Sequence, residues 1–421
     1  METSIKWRGA NISLMIFIFF SLVFPMYYAA FDSPYYPEFS FANLFAGLFI
    51  LIVILNRPFT KEHRTFIIYL IALLILYDIA SLYINFTQSR WIWEAFNVSL
   101  AFLLLAVLLL SKRDALILNE QRIIPFAIIC QVITMIAGII AYFVGYTSVS
   151  LTNGKISLIP HDPNYYEKRF NWLYFHKSQY CFILLLFVAL LVVYRKYCKN
   201  KLLFIALNLL CLFCIILSHT YTALFASFLI YIGYFIDYIK PRMKKIKKTY
   251  WLLTIPVLIP VILIVYKMAQ ERNILSLGGR TYIWAESIRQ ILQNPLGVGT
   301  DFGGISFEVP GLTFKVFNCH NVFLNEMYRF SLPVGLLFTI MFASVIIYSL
   351  KKNFSFLNLG IWGALLISLN MDYSLLGREL TITMFYVYIL FFLPYISQKG
   401  KNNSIEEKQG RKRSIASTFK N

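Results

Sequence analysis

Charge is scarce in this chain. Only 14% of its 421 residues are Asp, Glu, Lys or Arg, against 59% hydrophobic. A soluble domain carries roughly 25% charged residues, so this composition excludes one and fits a polytopic helical membrane protein. Acidic residues are scarcer still, 20 against 39 Lys and Arg. No P-loop, no paired zinc spacing and no Asp-rich metal motif occurs, which leaves nucleotide-driven and metal-dependent chemistry without support; no cofactor or metal is expected. No internal repeat is found, and Asp78 and Glu94 are nearly the only acidic candidates in or beside the apolar segments. An alternating-access carrier is expected to show repeat symmetry and intramembrane charge. Of the six cysteines, only Cys319 lies in a long polar stretch; Cys130, Cys181, Cys198, Cys211 and Cys214 lie in or beside apolar runs, and the Cys211/Cys214 pair reads as small packing residues.

What the chain has instead is a series of apolar runs. A helix crosses the hydrocarbon with about 20 apolar residues, because unpaired backbone is not tolerated there. Runs near 11–30, 40–56, 65–86, 93–111, 123–145, 178–194, 202–218, 221–238, 251–266, 332–350, 355–371 and 380–396 predict an all-α fold of about twelve transmembrane helices. The first lacks a small-residue cleavage site and reads as a retained helix. Most Lys and Arg fall on one set of connections: Lys6/Arg8, Arg57/Lys61/Arg64, Lys112/Arg113/Arg122, Arg195–Lys201, Lys240–Lys248, Lys351/Lys352 and the tail from Lys399. By the positive-inside rule both termini are cytoplasmic, and 146–177, 267–330 and Asp372–Glu379 face the opposite side. The net charge of +19 is thus mainly a topology signal that also attracts anionic lipid headgroups; charge scattered over short loops does not fit nucleic acid. Residues 1–396 form the membrane domain and 397–421 a basic, disordered tail.

The polar island at 267–330, between the ninth and tenth spans, carries the chemistry-bearing residues. Arg280–Gln293 has helical periodicity: Ile283, Trp284, Ile288, Ile291 and Leu292 fall near one face, and Glu286, Arg289, Gln290 and Gln293 fall on the other. Such an amphipathic helix rests on the membrane surface or on the bundle. Gly278-Gly279 precedes it, Asn294-Pro295 ends it, and Gly297-Val-Gly299 permits a close backbone approach. A second helix is expected from Asn321 into the tenth span. Arg169, Arg280, Arg289 and Arg378 are external guanidinium groups that match phosphate oxygens. His320 is an external candidate general base, with His161 and His176 as rivals in the other large loop.

The order Ser276-Leu-Gly-Gly-Arg280-Thr-Tyr-Ile-Trp284, Asn294-Pro-Leu-Gly-Val-Gly299 and His320-Asn321 before a membrane helix resembles the O-antigen ligase/polymerase superfamily. Arg169-Phe170 before the sixth span, and Asp372 and Arg378 flanking the last loop, resemble the ligase that joins O-antigen to lipid A–core; Tyr221 stands where ligases carry an arginine. The resemblance implies a multi-pass protein of the bacterial inner membrane with a periplasmic active site. It also implies a metal-independent, inverting glycosyl transfer from undecaprenyl pyrophosphate-linked O-antigen to a sugar hydroxyl of lipid A–core. In that reading Arg169 and Arg280 hold the pyrophosphate and His320 accepts the proton. Arg289, Arg378, Asn321, Tyr221 and His176 bind substrate. A repeat-unit polymerase using the same donor differs only in its acceptor.

Overall fold

The computed structural model describes residues 2–25, 40–56, 61–88, 93–111, 120–152, 155–160, 170–174, 176–195, 200–239, 279–299, 305–309, 312–316, 318–371 and 377–394. The span expected at 251–266, the tail 397–421, Cys198, and the candidates Arg169, His161 and Asp372 lie outside the described residues; of Arg378 only the backbone is described.

Eight helices come first: α1 (Glu2–Leu22), α2 (Phe41–Asn56), α3 (Arg64–Thr87), α4 (Trp93–Leu110), α5 (Glu120–Val144), α6 (Lys177–Val193), α7 (Lys201–Leu217) and α8 (Tyr221–Tyr234), the last running into a π turn at Phe235–Ile239. The polar island contributes α9 (Arg280–Gln293) and α10 (Val322–Arg329). Then follow α11 (Leu332–Lys352), α12 (Phe356–Met371) and α13 (Gly377–Val387), extended by a π turn at Tyr388–Phe392. Four of these helices are long and apolar enough to cross a membrane, and others carry shorter apolar stretches of 10–17 residues, Gly9–Leu22 of α1 and Ala95–Leu110 of α4 among them. The all-α expectation gains two small antiparallel hairpins, β1 (Tyr146–Thr152) with β2 (Lys155–Pro160) and β3 (Ile305–Val309) with β4 (Leu312–Val316). Both are short alternating stretches inside segments read as loops, where hydropathy windows tuned to a span are blind to a period of two. The first helix starts at Glu2, earlier than the apolar run, because hydropathy stops at Lys6 and Arg8 while the backbone continues helical.

The helices expose what a soluble protein would hide. Phe86 is 83% exposed, Leu55 and Phe143 71%, and Ile347 67%; these stripes lie on helices of transmembrane character and fit contact with lipid tails. The buried interior is centred on α6, α4 and α13; the α6 residues from Tyr180 to Leu191 are all buried. Cys211 and Cys214 are buried free thiols, consistent with packing residues. Asp78, on the outward side of α3, accepts a hydrogen bond from the Ser99 hydroxyl of α4. Where hydrophobic burial offers little drive, close backbone approach holds helices together: a Cβ added at Gly233 of α8 would meet the backbone of Phe356, and one at Gly360 of α12 would meet the Leu229 carbonyl. The pairs 233/356 and 229/360 run in opposite directions, so α8 and α12 are antiparallel. Continuing that register puts Tyr221, at the start of α8, level with the last turn of α12.

Candidate functional site

The described residues of the polar island pack on one another and reach the end of α12 through Asn321 and Asn370. Gly279 adopts a left-handed φ of 87° and opens α9, so that Arg280 is its first residue. Ile283, Ser287 and Ile291 recur every four residues and form the buried face of α9, which packs on β3 and α10. Cys319 completes this small core with Ile291, Ile305 and Tyr328. Burial pushes the Cys319 thiol up to about 11, opposed by a hydrogen bond with Ser287 and the nearby Arg329 charge. A thiol so placed is inert as a nucleophile at neutral pH, and its place is structural. Since Ser287 lies seven residues beyond Arg280, the contact sits about 10 Å along the helix axis from the guanidinium-bearing residue, at 1.5 Å per residue.

Immediately after this anchor comes His320, which is half-buried with a φ of 48°. A non-glycine residue in the left-handed region costs roughly 1–2 kcal/mol, and three asparagines hold the turn that imposes it. The Asn318 side chain accepts from the His320 N–H at 2.9 Å. The buried Asn325 side chain accepts from the Cys319 N–H at 3.1 Å. Asn321 caps α10 by accepting from the Leu324 N–H at 3.1 Å, and its Nδ2 donates to Oδ1 of Asn370 at 2.9 Å, near the end of α12. Asn321 was expected to bind substrate; both ends of its amide are engaged in the cap and the clamp.

The helix expected to run from Asn321 through the tenth span is broken. α10 ends at Arg329, and Ser331 starts α11 afresh by accepting from the Val334 N–H at 3.2 Å, with Pro333 in the first turn. The break carries the Asn-Pro-Leu-Gly-Val-Gly turn: Val298 and Gly299 donate to the carbonyls of Tyr328 and Arg329 at 3.0 and 2.8 Å, and Leu332 donates to that of Pro295 at 2.8 Å. Gly297, with φ 74°, lies so close that a Cβ there would stand 2.7 Å from the Phe330 carbonyl. Glycine is required twice over, by conformation and by space.

The remaining candidates separate from this unit to different degrees. Arg289 is exposed on α9 and pairs with Glu286, whose carboxyl it holds below the usual carboxylate range, while its Nη1 donates to Gln293 at 3.0 Å. His176 caps α6: its Nδ1 accepts from the Ser178 N–H at 3.2 Å, and Gln179 accepts from the His176 N–H at 3.1 Å. Tyr221 opens α8 at the height of the Asn321–Asn370 clamp, and Arg378 lies in the first turn of α13. α6 packs against α8, α12 and α13, and α10 touches α12, so these helix ends share one end of the bundle with His320. Behind them Tyr174 is fully buried; burial raises its phenol well above the usual value, with Tyr386 and Glu379 adding to the effect.

Sequence reasoning passed over Arg329, a cation near Cys319 in the same unit, and the asparagines 318, 325 and 370. Asn318 and Asn325 stand close enough to His320 to have been suspected. Asn370 lies 49 residues from Asn321, and no local pattern announces it.

No curated protein matches the chain. Residues 205–339 match the family described as O-Antigen ligase, a stretch running from α7 through α9 and the His320 turn into the first turns of α11. That match lies on the segment that carries Arg280, the glycine turn and His320, and together with helices apolar enough to span a membrane it supports membership in the O-antigen ligase/polymerase superfamily, whose members are glycosyltransferase-like enzymes of O-antigen processing.

Proposed function

We propose that the protein is an O-antigen ligase acting on the periplasmic face of the inner membrane. It transfers polysaccharide from undecaprenyl pyrophosphate to a sugar hydroxyl of lipid A–core. The observation that carries the reading is the clamped His320 turn, packed through Cys319 against the helix that begins with Arg280. A histidine side chain is suited to general-base chemistry of this kind. The acceptor oxygen attacks the anomeric carbon as the bond to the pyrophosphate oxygen breaks, and the hydroxyl proton passes to His320. Arg280, together with Arg169, neutralises the charge growing on the departing pyrophosphate. A single displacement inverts the anomeric centre. Tyr221, carried by a helix end at the same end of the bundle, contacts substrate, while Arg289 and Arg378 bind donor or core phosphates. Both substrates are held by one membrane surface, which lowers the entropic barrier to their meeting.

A lipopolysaccharide gel of a strain lacking the gene tests this. Core free of all O-antigen, with lipid-linked polymer accumulating, is the expected result. Core bearing a single repeat unit would instead identify a polymerase.

A further inference from the structure

The exposed surface of α9 is not uniformly polar. At 100° per residue, Ile283, Ser287 and Ile291 define the buried third. Glu286, Arg289 and Gln293 define a second third that faces water, tied together by the Arg289 bonds to Glu286 and Gln293. Ala285, Ile288 and Leu292 occupy the remaining third. They are exposed, Ile288 by 47% and Leu292 by 68%. The apolar face seen in the sequence is therefore split: half of it is core and half is bare. A helix with one protein side, one water side and one apolar side fits a boundary where three media meet.

The height of that bare stripe is fixed by the chain itself. α9 ends one residue before Asn294-Pro295, and the Pro295 carbonyl accepts the Leu332 N–H at the first residue of α11. α11 is a 21-residue apolar helix long enough to cross a membrane, and it carries its own exposed stripe of Leu336, Ile340 and Ile347. Leu292, three residues before Pro295, thus stands beside the start of α11, the end at which a spanning α11 would leave the hydrocarbon.

We infer that the Ala285–Ile288–Leu292 sector of α9 seats in the headgroup–acyl boundary of the leaflet at this end of the bundle, making α9 an interfacial helix whose occupant is lipid. The seat fixes the depth of Arg280 and Arg289 at that of membrane phosphates, while the polar sector stays in water. The inference concerns where α9 lies and holds whichever acceptor the enzyme uses.

Single cysteines at Ala285, Ile288, Leu292 and Gln293 of the full chain, labelled with a membrane-impermeant maleimide and mapped by mass spectrometry, test it. The protein is compared in native membranes and in phosphatidylethanolamine/phosphatidylglycerol nanodiscs that hold one copy. Expected is labelling at Ile288→Cys and Leu292→Cys slower than at Gln293→Cys by about tenfold or more in both settings, as burial of a thiol away from water requires. Ala285→Cys, the mildest change, serves if a larger substitution harms folding. Equal rates on the two sectors would overturn the inference. So would protection in native membranes that vanishes in single-copy nanodiscs, since a second protein would then be the cover.

Discussion

Two histidines in this molecule adopt nearly the same uncommon backbone conformation, His219 with φ 50° and His320 with φ 48°. Their surroundings differ. His219 ends α7: its N–H donates to the Ile216 carbonyl at 2.9 Å, while Ser218 and Thr220 bond carbonyls within the same few residues. A left-handed residue just past a helix is a common way to satisfy its last carbonyls, so helix termination alone accounts for His219. His320 ends nothing. It precedes a helix cap, sits beside a buried thiol, and is held by side chains from both flanks and by a link to α12. Strain that local chain geometry explains carries no message about function; strain that several separate contacts maintain does.

The largest expected effect bears directly on this contrast. His320→Asn keeps a residue tolerant of the left-handed region but removes the proposed base, and should lower transfer by roughly 100-fold or more with no loss of folded protein from the membrane. His219→Asn should leave transfer within a few-fold of wild type. Quantifying polymer-bearing lipopolysaccharide from complemented strains checks both, and equal losses would erase the distinction. Arg280→Ala belongs with the large effects.

Gly297→Ala probes the break between α10 and α11, at the other end of α10 from the His320 turn. A methyl group pressed on the Phe330 carbonyl at a left-handed φ should destabilise the protein by about 1–3 kcal/mol, read as a lower unfolding temperature in detergent. Asn325→Ala comes next. It strips the buried Cys319 N–H of its acceptor, a loss of about 1–3 kcal/mol, and transfer should fall along with stability. Replacing Ser218 by Ala at the other turn should lower stability less and leave transfer unchanged.

The smallest effect is one of pH. The Cys319 thiol is raised from 9.0 to about 11 by burial. The folded state therefore keeps a proton that the unfolded chain releases from pH 9 upward. Its contribution to stability is fully present below pH 9 and is lost as pH rises toward 11. Cys319 should accordingly resist an external maleimide at pH 8 and become reactive only on unfolding or near pH 11. Rapid labelling at pH 8 would mean that the anchor of the His320 turn is open to water.

Much of this architecture was legible in advance. The boundaries of α3, α6, α7 and α12 fall within a residue or two of the apolar runs, because each helix stops close to where polar or charged residues interrupt its apolar run. The amphipathic pattern of α9, its glycine entrance and its Asn-Pro exit were equally plain. The two hairpins were not, since short strands pair through backbone bonds whose partners a single sequence does not reveal. Nor did helical spacing tell which half of the α9 apolar face would be core: Ile283 and Leu292 look alike in sequence, and only packing on β3 and α10 separates them.

Composition and charge order by themselves determined that this is a many-helix membrane protein with one long polar island, because the solvent dictates both. They also singled out Arg280 and His320, whose residue types and neighbours are written in the chain. Only the tertiary structure decided that Asn321 and Asn370 clamp the His320 turn, that Arg289 pairs with Glu286, and that His176 is a helix cap. Those are contacts between particular side-chain atoms. They follow from how separate helices meet, which no local pattern of residues encodes.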